Sequence, residues 1–448
     1  MRRFLIGFLG WLLVAGLATV LGPPASAVPG QNLLPAPPMG WNSWNSFATT
    51  ITEEQAIANA AIMAEKLKPS GYDIFTIDIQ WYEGSATGYE YSSKPVPTMD
   101  GNARLLPAPN RFPSSAQGAG FKPLADRIHA KGMRFGVHLM RGIPRLAVER
   151  NLPILGTALH ARDIANIEST CPWNPDMYGV DMRKPGAQQY YDSVFALFAA
   201  WGVDFVKMDD MSRPYDAHAP EIEAAHRAIE ASGRPMILSL SPGETPLASG
   251  NHVRRFAQMW RISDDFWDEW PLLHAQFTRL ENWSMFREPG AWPDADMLPL
   301  GRLQMGRRDC RLTPDEQRTL MTLWSIARSP LIMGGDLRHL DAATLALLTN
   351  REVLAVNQHS RDNTPLALAD DVRTWTARSE QDDACYLAVF NTSDRKEGKQ
   401  VRFDLARLGL TSVKVRDLWA QRDLGVVKDR VTAQLAPHAC VLYCLMKA

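Results

Sequence analysis

The sequence predicts a (β/α)8 barrel followed by a C-terminal antiparallel β-domain. Three observations carry this expectation. Buried-strand runs alternate with amphipathic stretches from Met39 to Leu348, there are about eight such units, and beyond Asn363 the rhythm changes to short β-branched and aromatic runs. The strand runs read as Gly40–Trp44, Tyr72–Ile79, Arg134–Met140, Phe205–Met208, Met236–Leu240, Trp260–Ser263, Asp294–Leu298 and Pro330–Gly334. Most are apolar runs without strict alternation, as in a parallel sheet covered on both faces. Helical patterns over Glu53–Leu67, Gly186–Ala200 and Pro314–Ala327 supply the covering layer. A doubly wound sheet would show the same order, but the chain has no GxGxxG or phosphate loop of the kind such folds carry. Further on, Arg373–Ala377, Cys385–Asn391, Lys399–Phe403, Val413–Trp419 and Ala439–Met446 are separated by polar turns and read as antiparallel strands. The expected domains are therefore a barrel over 28–358 and a β-sandwich over 359–448.

Residues 1–27 read as a leader outside the fold. Arg2 and Arg3 precede an apolar run from Phe4 to Leu21, and Ala25-Ser26-Ala27 is a small-x-small cleavage site. Gly22-Pro23-Pro24 breaks the helix where a cleavable signal needs extended chain, which favours removal over a retained anchor. The expectation is a secreted or periplasmic protein beginning near Val28, with no membrane association after cleavage. With 48 basic against 49 acidic residues, the chain has no general field to attract a nucleic acid. Five cysteines, none in a CxxC pair, support neither a zinc site nor a disulfide scaffold. Cys385 could pair with Cys440 or Cys444, or all could be buried thiols. Fourteen Trp supply flat faces of the kind that stack on sugar rings, although most Trp in any protein are core.

Barrel enzymes place their chemistry at the C-terminal ends of the strands. Here those ends are acidic: Asp78 after the second strand, Asp209-Asp210 after the fourth, Asp264-Asp265 after the sixth and Asp294-Ala295-Asp296 at the seventh. One such Asp is explained as a helix cap. Several at once repel one another unless a metal, a cation or a substrate uses them. Alternation puts Lys207 on one face with Asp209, and Arg261 with Ser263 and Asp265. Lys207 favours an ionised Asp209, as a nucleophile requires, and the charge on Asp209 favours a protonated Asp265. Two carboxyl groups with split protonation are what glycoside cleavage uses. Asp210 and Asp264 are expected to point elsewhere and to bond adjacent strands or loops. A metal-dependent hydrolase using Asp78, Asp209, Asp294 and Asp296 is the competing chemistry, but Lys207 and Arg261 within the cluster would compete with a cation. A catalytically dead carbohydrate-binding protein would not need both carboxylates. The site is thus expected to need no metal and no cofactor.

Five collinear segments resemble the melibiases, the α-galactosidases of glycoside hydrolase family 27. They are Pro38-Met39-Gly40-Trp41-Asn42-Ser43-Trp44, Lys207-Met208-Asp209, Trp260-Arg261 followed by Asp265, Pro293-Asp294-Ala295-Asp296-Met297-Leu298, and Ser329-Pro330-Leu331-Ile332-Met333. The resemblance runs from about residue 34 to the end and implies the same barrel-plus-sandwich fold. It implies Asp209 as nucleophile and Asp265 as acid/base, with Trp44, Asp78, Lys207, Arg261 and Asp296 contacting the sugar. His138, where relatives carry Tyr, joins that binding set. The activity implied is retaining hydrolysis of terminal α-D-galactosyl residues from oligo- or polysaccharides. Three departures bear on the sugar. The Asp that follows the counterpart of Asp78 in α-galactosidases is replaced by Ile79. Ser239-Leu240-Ser241-Pro242-Gly243-Glu244 stands where relatives carry a Cys-Glu-Trp segment, and the stretch Arg141 to Met182, with Cys171-Pro172-Trp173-Asn174-Pro175, is an insertion that could roof the pocket. The alternatives within the family are β-L-arabinopyranosides, α-N-acetylgalactosaminides and α-1,6-glucans.

Overall fold

The computed structural model describes residues 33–369, 371–395 and 397–448. The leader expected at 1–27 lies outside the described residues. Eight parallel strands form the barrel: β1 (Met39–Asn42), β2 (Ile74–Ile77), β3 (Arg134–Met140), β4 (Phe205–Asp209), β5 (Ile237–Leu240), β6 (Met259–Arg261), β7 (Trp292–Asp294) and β8 (Leu331–Met333). They neighbour one another in the order β7-β6-β5-β4-β3-β2-β1-β8. The sheet closes through a parallel bridge between Leu298 and Met333, where the Leu298 N–H donates to the Ile332 carbonyl at 2.7 Å. The seventh strand was expected over Asp294–Leu298, but it ends at Asp294. Asp296 turns the chain out of the strand in a left-handed conformation, φ 82°, before Leu298 rejoins the sheet. The first strand likewise stops at Asn42, because Trp44–Phe47 is already helical.

Alternation along these strands separates two cores. Phe75, Ile77, Phe135, Val137, Val206, Met208, Leu238 and Trp260 join the large cluster under the outer helices. Ile74, Phe205, Ile237, Met259, Trp292 and Ile332 form a smaller cluster within the barrel. The second set is an apolar plug, and the next inward-facing residues along the strands, Thr76, Lys207, Ser239, Arg261 and Asp294, form a polar layer above it. At Gly136, on β3, an added Cβ would lie 2.5 Å from Thr76 Oγ1, so only glycine fits that packed interior.

The insertion after β3 folds as a small three-stranded sheet of Ile143–Pro144, Met177–Val180 and Ala165–Thr170. In the C-terminal domain, β9 (Ser360–Ala369), β10 (Val372–Ser379), β11 (Cys385–Asn391), β12 (Lys399–Asp404), β13 (Ser412–Asp417), β14 (Arg422–Lys428), β15 (Arg430–Leu435) and β16 (Cys440–Lys447) pair antiparallel. Six lie in one sheet and β12 with β15 in a second, enclosing Leu387, Val389, Phe403, Val413, Val431 and Leu445. β9, β14 and β15 were not expected; β14 is mostly exposed and its burial alternation is absent. All five cysteines are free thiols. No described helix is long and apolar enough to cross a membrane.

Candidate active site

The strand ends meet in one cavity of about 560 Å³ at the C-terminal face of the barrel. Its lining includes Trp44, Asp78, Ile79, Lys207, Asp209 and Asp265, with Tyr89, Tyr91, Pro172 and Trp173 on the loops above. Three expected contact residues lie behind this wall. His138 is fully buried beside Asp209, and Arg261 and Asp296 line the narrow polar layer inside the barrel.

Asp209 is held by one of its two oxygens. Oδ2 lies 2.9 Å from His138 Nε2 and 3.4 Å from Lys207 Nζ. Oδ1 has no hydrogen-bond partner among the described residues. Register explains the arrangement, since β3 and β4 pair His138 directly with Lys207, one residue pair below Asp209 on the inward face. Burial alone would raise the Asp209 carboxyl. Lys207, His138 and Arg261 outweigh it and hold the group at about 2, so it stays ionised at neutral pH. His138, expected among the sugar-contacting residues, is buried and lies 2.9 Å from Asp209 Oδ2.

Lys207 reaches Asp78 Oδ2 at 3.0 Å, and Asn42 Nδ2 donates to the same oxygen at 2.7 Å. Asp78, His138 and Asp209 offer ligand atoms within 4.8 Å of one another, the spacing of a metal triad. The Lys207 ammonium already bridges the two carboxylates, as an ion would, so this donor set does not fit a divalent cation.

Asp265 presents a different environment. Its side chain is 44% exposed, and Oδ1 lies 3.3 Å from Arg261 Nη2. Strand alternation anticipated this contact, although β6 ends at Arg261 and the approach is made by the loop that follows. Arg261 also pairs with Asp296, Nη1 to Oδ1 at 2.8 Å, and donates to the Ser263 carbonyl at 3.1 Å, while the Phe266 N–H donates to Asp296 Oδ2 at 2.7 Å. Asp294 is pushed above the ordinary carboxylate range by burial and then by the adjacent Asp296.

Asp210 and Asp264 do bond neighbouring loops, but both also line the cavity. Asp210 Oδ2 pairs with Arg141 Nη2 at 2.7 Å, and Asp264 pairs with Arg213. Tyr89, Tyr91 and Arg213 were not singled out from the sequence. The Tyr89-Glu90-Tyr91 pair in a long loop after a barrel strand was the available signal.

The family model described as Alpha galactosidase A matches residues 178–359, and the Alpha galactosidase C-terminal beta sandwich domain matches 369–445. Alpha-galactosidase 2 of Arabidopsis thaliana is 26% identical over 92% of this chain and 90% of its own. Among solved structures, a glycoside hydrolase family 27 β-L-arabinopyranosidase from Geobacillus stearothermophilus is 48% identical with a TM-score of 0.91, covering 94% of this chain and 98% of that one. A putative α-N-acetylgalactosaminidase from Bacillus halodurans is 45% identical with a TM-score of 0.83, covering 92% and 97%.

Proposed function

The chain belongs to glycoside hydrolase family 27, and from that premise we propose that it is a retaining β-L-arabinopyranosidase. The observation that carries the choice of sugar is Ile79, 1% exposed and lining the cavity directly after Asp78. By family resemblance the α-galactosidases hold a carboxylate at this position. β-L-arabinopyranose has the geometry of galactose without the hydroxymethyl group. An apolar Ile wall suits that missing group, because a galactoside would press a hydroxyl against a side chain with no donor or acceptor. The 48% identity to an arabinopyranosidase supports the same reading.

In this mechanism Asp209 attacks the anomeric carbon through the unpartnered Oδ1 while Asp265 protonates the departing oxygen. His138 and Lys207, both on Oδ2, keep the carboxylate ionised and oriented. Asp265 then takes a proton from water, and a second displacement restores the original configuration. Its partly exposed position lets it exchange protons with solvent between the steps. The α-D-galactosyl reading is the second, supported by Asp78 and Lys207 and by the curated relatives named α-galactosidase. Export through the leader at 1–27 belongs to the same proposal.

A panel of nitrophenyl glycosides tests the sugar, with β-L-arabinopyranoside expected to give the highest kcat/KM. NMR of the first-formed sugar tests the stereochemistry, and inverted product would refute the mechanism. Asp209→Ala is expected to abolish turnover and to be rescued by azide with an inverted glycosyl azide. Asp265→Ala is expected to slow substrates with poor leaving groups far more than activated aryl glycosides.

A further inference from the structure

The floor of the cavity is built from buried groups, Asp78, Ile79 and Asp209, but its mouth is not. There the insertion exposes Pro172 and Trp173 between two tied-down residues. On one side the buried Cys171 lies close to Asp210, itself clamped by Arg141. Arg141 also reaches Glu221 at 2.7 Å and Ser169 Oγ at 3.0 Å, which fixes the insertion to the strand end that carries the nucleophile. On the other side Asn174 and Asp176 are each 1% exposed. Asp176 Oδ2 accepts from Tyr82 OH at 2.6 Å and from Gln80 Nε2 at 3.1 Å, which pins the loop to the segment after β2. The Tyr91 ring lies 5.8 Å from that of Trp173. A large indole, 36% exposed, is thus set at the cavity mouth between two anchored stretches of backbone.

The loops after β4 and β6 complete the rim with the ion-paired Arg213 and Asp264. Gly243, at φ +90°, leaves room for Arg213, whose Nη2 would lie 3.0 Å from an added Cβ. An aromatic face together with a charged hydrogen-bonding pair matches the two surfaces of a pyranose, its C–H face and its hydroxyl edge. A platform fixed before binding loses little side-chain entropy when a ligand stacks on it.

We infer that Trp173, with Arg213 and Asp264, forms a subsite for a second sugar ring, the leaving group of the substrate, so that the preferred substrates are oligosaccharides rather than simple glycosides. This rests on Asp265 as the group that protonates the linking oxygen. The fluoride of the cleaved sugar has no second ring, so it serves as the internal reference.

The test compares kcat/KM for an arabinopyranosyl-galactose disaccharide with that for β-L-arabinopyranosyl fluoride. Trp173→Ala is expected to lower the disaccharide-to-fluoride ratio about tenfold, and Trp173→Phe, which keeps a flat face, to restore most of it. A ratio that moves less than about twofold in Trp173→Ala overturns the subsite. Asp264→Ala is expected to lower the ratio of disaccharide to nitrophenyl glycoside, because only the sugar has hydroxyls to lose. An unchanged ratio means that the mouth selects any flat ring, and the saccharide assignment fails. Should galactosyl fluoride be cleaved and arabinopyranosyl fluoride not, the choice of sugar at the floor is wrong, and the galactosyl pair reads the subsite by the same ratios.

Discussion

Replacing Ile79 with Asp puts a carboxylate into the wall that the proposed specificity depends on. The side chain is 1% exposed and lines the cavity next to Asp78. Its removal forfeits most of the roughly 1.5–3 kcal/mol that a fully buried Ile contributes. The new carboxylate also meets like charge from Asp78 and Asp209, offset by Lys207, which already bridges both. Stability is therefore expected to fall, and a thermal melt measures that cost separately from catalysis. A hydrogen bond between a charged group and a sugar hydroxyl contributes about 1.5–3 kcal/mol, which converts to about 10–150-fold in relative kcat/KM. The ratio of α-D-galactopyranoside to β-L-arabinopyranoside hydrolysis, measured on nitrophenyl substrates, is expected to rise within that range for Ile79→Asp. A folded variant whose ratio shifts by less than about threefold would show that Ile79 does not face the part of the sugar that distinguishes the two.

The contact of His138 with Asp209 Oδ2 predicts that His138→Phe lowers kcat by about 10–100-fold with little change in KM, the signature of a positioning residue. His138→Tyr, which places a hydroxyl donor near that oxygen, is expected to recover most of the loss, and equal loss in both variants would assign His138 to packing alone. Because Asp209 is held at about 2, it remains ionised through the weakly acidic range. The acidic limb of kcat/KM is then expected well below pH 5, and a limb that His138→Phe moves upward would tie the low value to this contact. Asp294 is raised by burial and by Asp296, so its charge opposes folding increasingly as pH rises from the unfolded toward the folded value. Asp294→Asn removes that charge. Its melting temperature relative to the parent is expected to be higher at pH 8 than at pH 5, and a constant difference would refute a titrating Asp294.

The barrel was legible because its strands are buried on both faces, and such segments differ plainly in composition from the amphipathic helices around them. The strand β14 was not, since it is exposed nearly throughout and its apolar residues Leu424 and Val426 face out; β15 does alternate, with Val431, Ala433 and Leu435 buried, but over only six residues. Alternation placed Lys207 beside Asp209 correctly, as both lie within β4. It reached the Arg261–Asp265 contact by an incomplete route, because β6 is too short to include Asp265 and the loop's path makes the approach.

The order of residues along the chain determined the barrel, the acidic strand ends and the substitution of Ile79 for a carboxylate, all of which depend on local pattern and residue type. Only the tertiary structure decided that His138 lies buried against the Asp209 carboxylate, since that follows from the register of β3 against β4. Likewise, the 141–182 insertion holds Trp173 at the mouth through Arg141 on Asp210, after β4, and through Asp176 on Tyr82 and Gln80, after β2. Contacts between residues so far apart depend on how the strands close and how the loops cross, and no short-range periodicity encodes either.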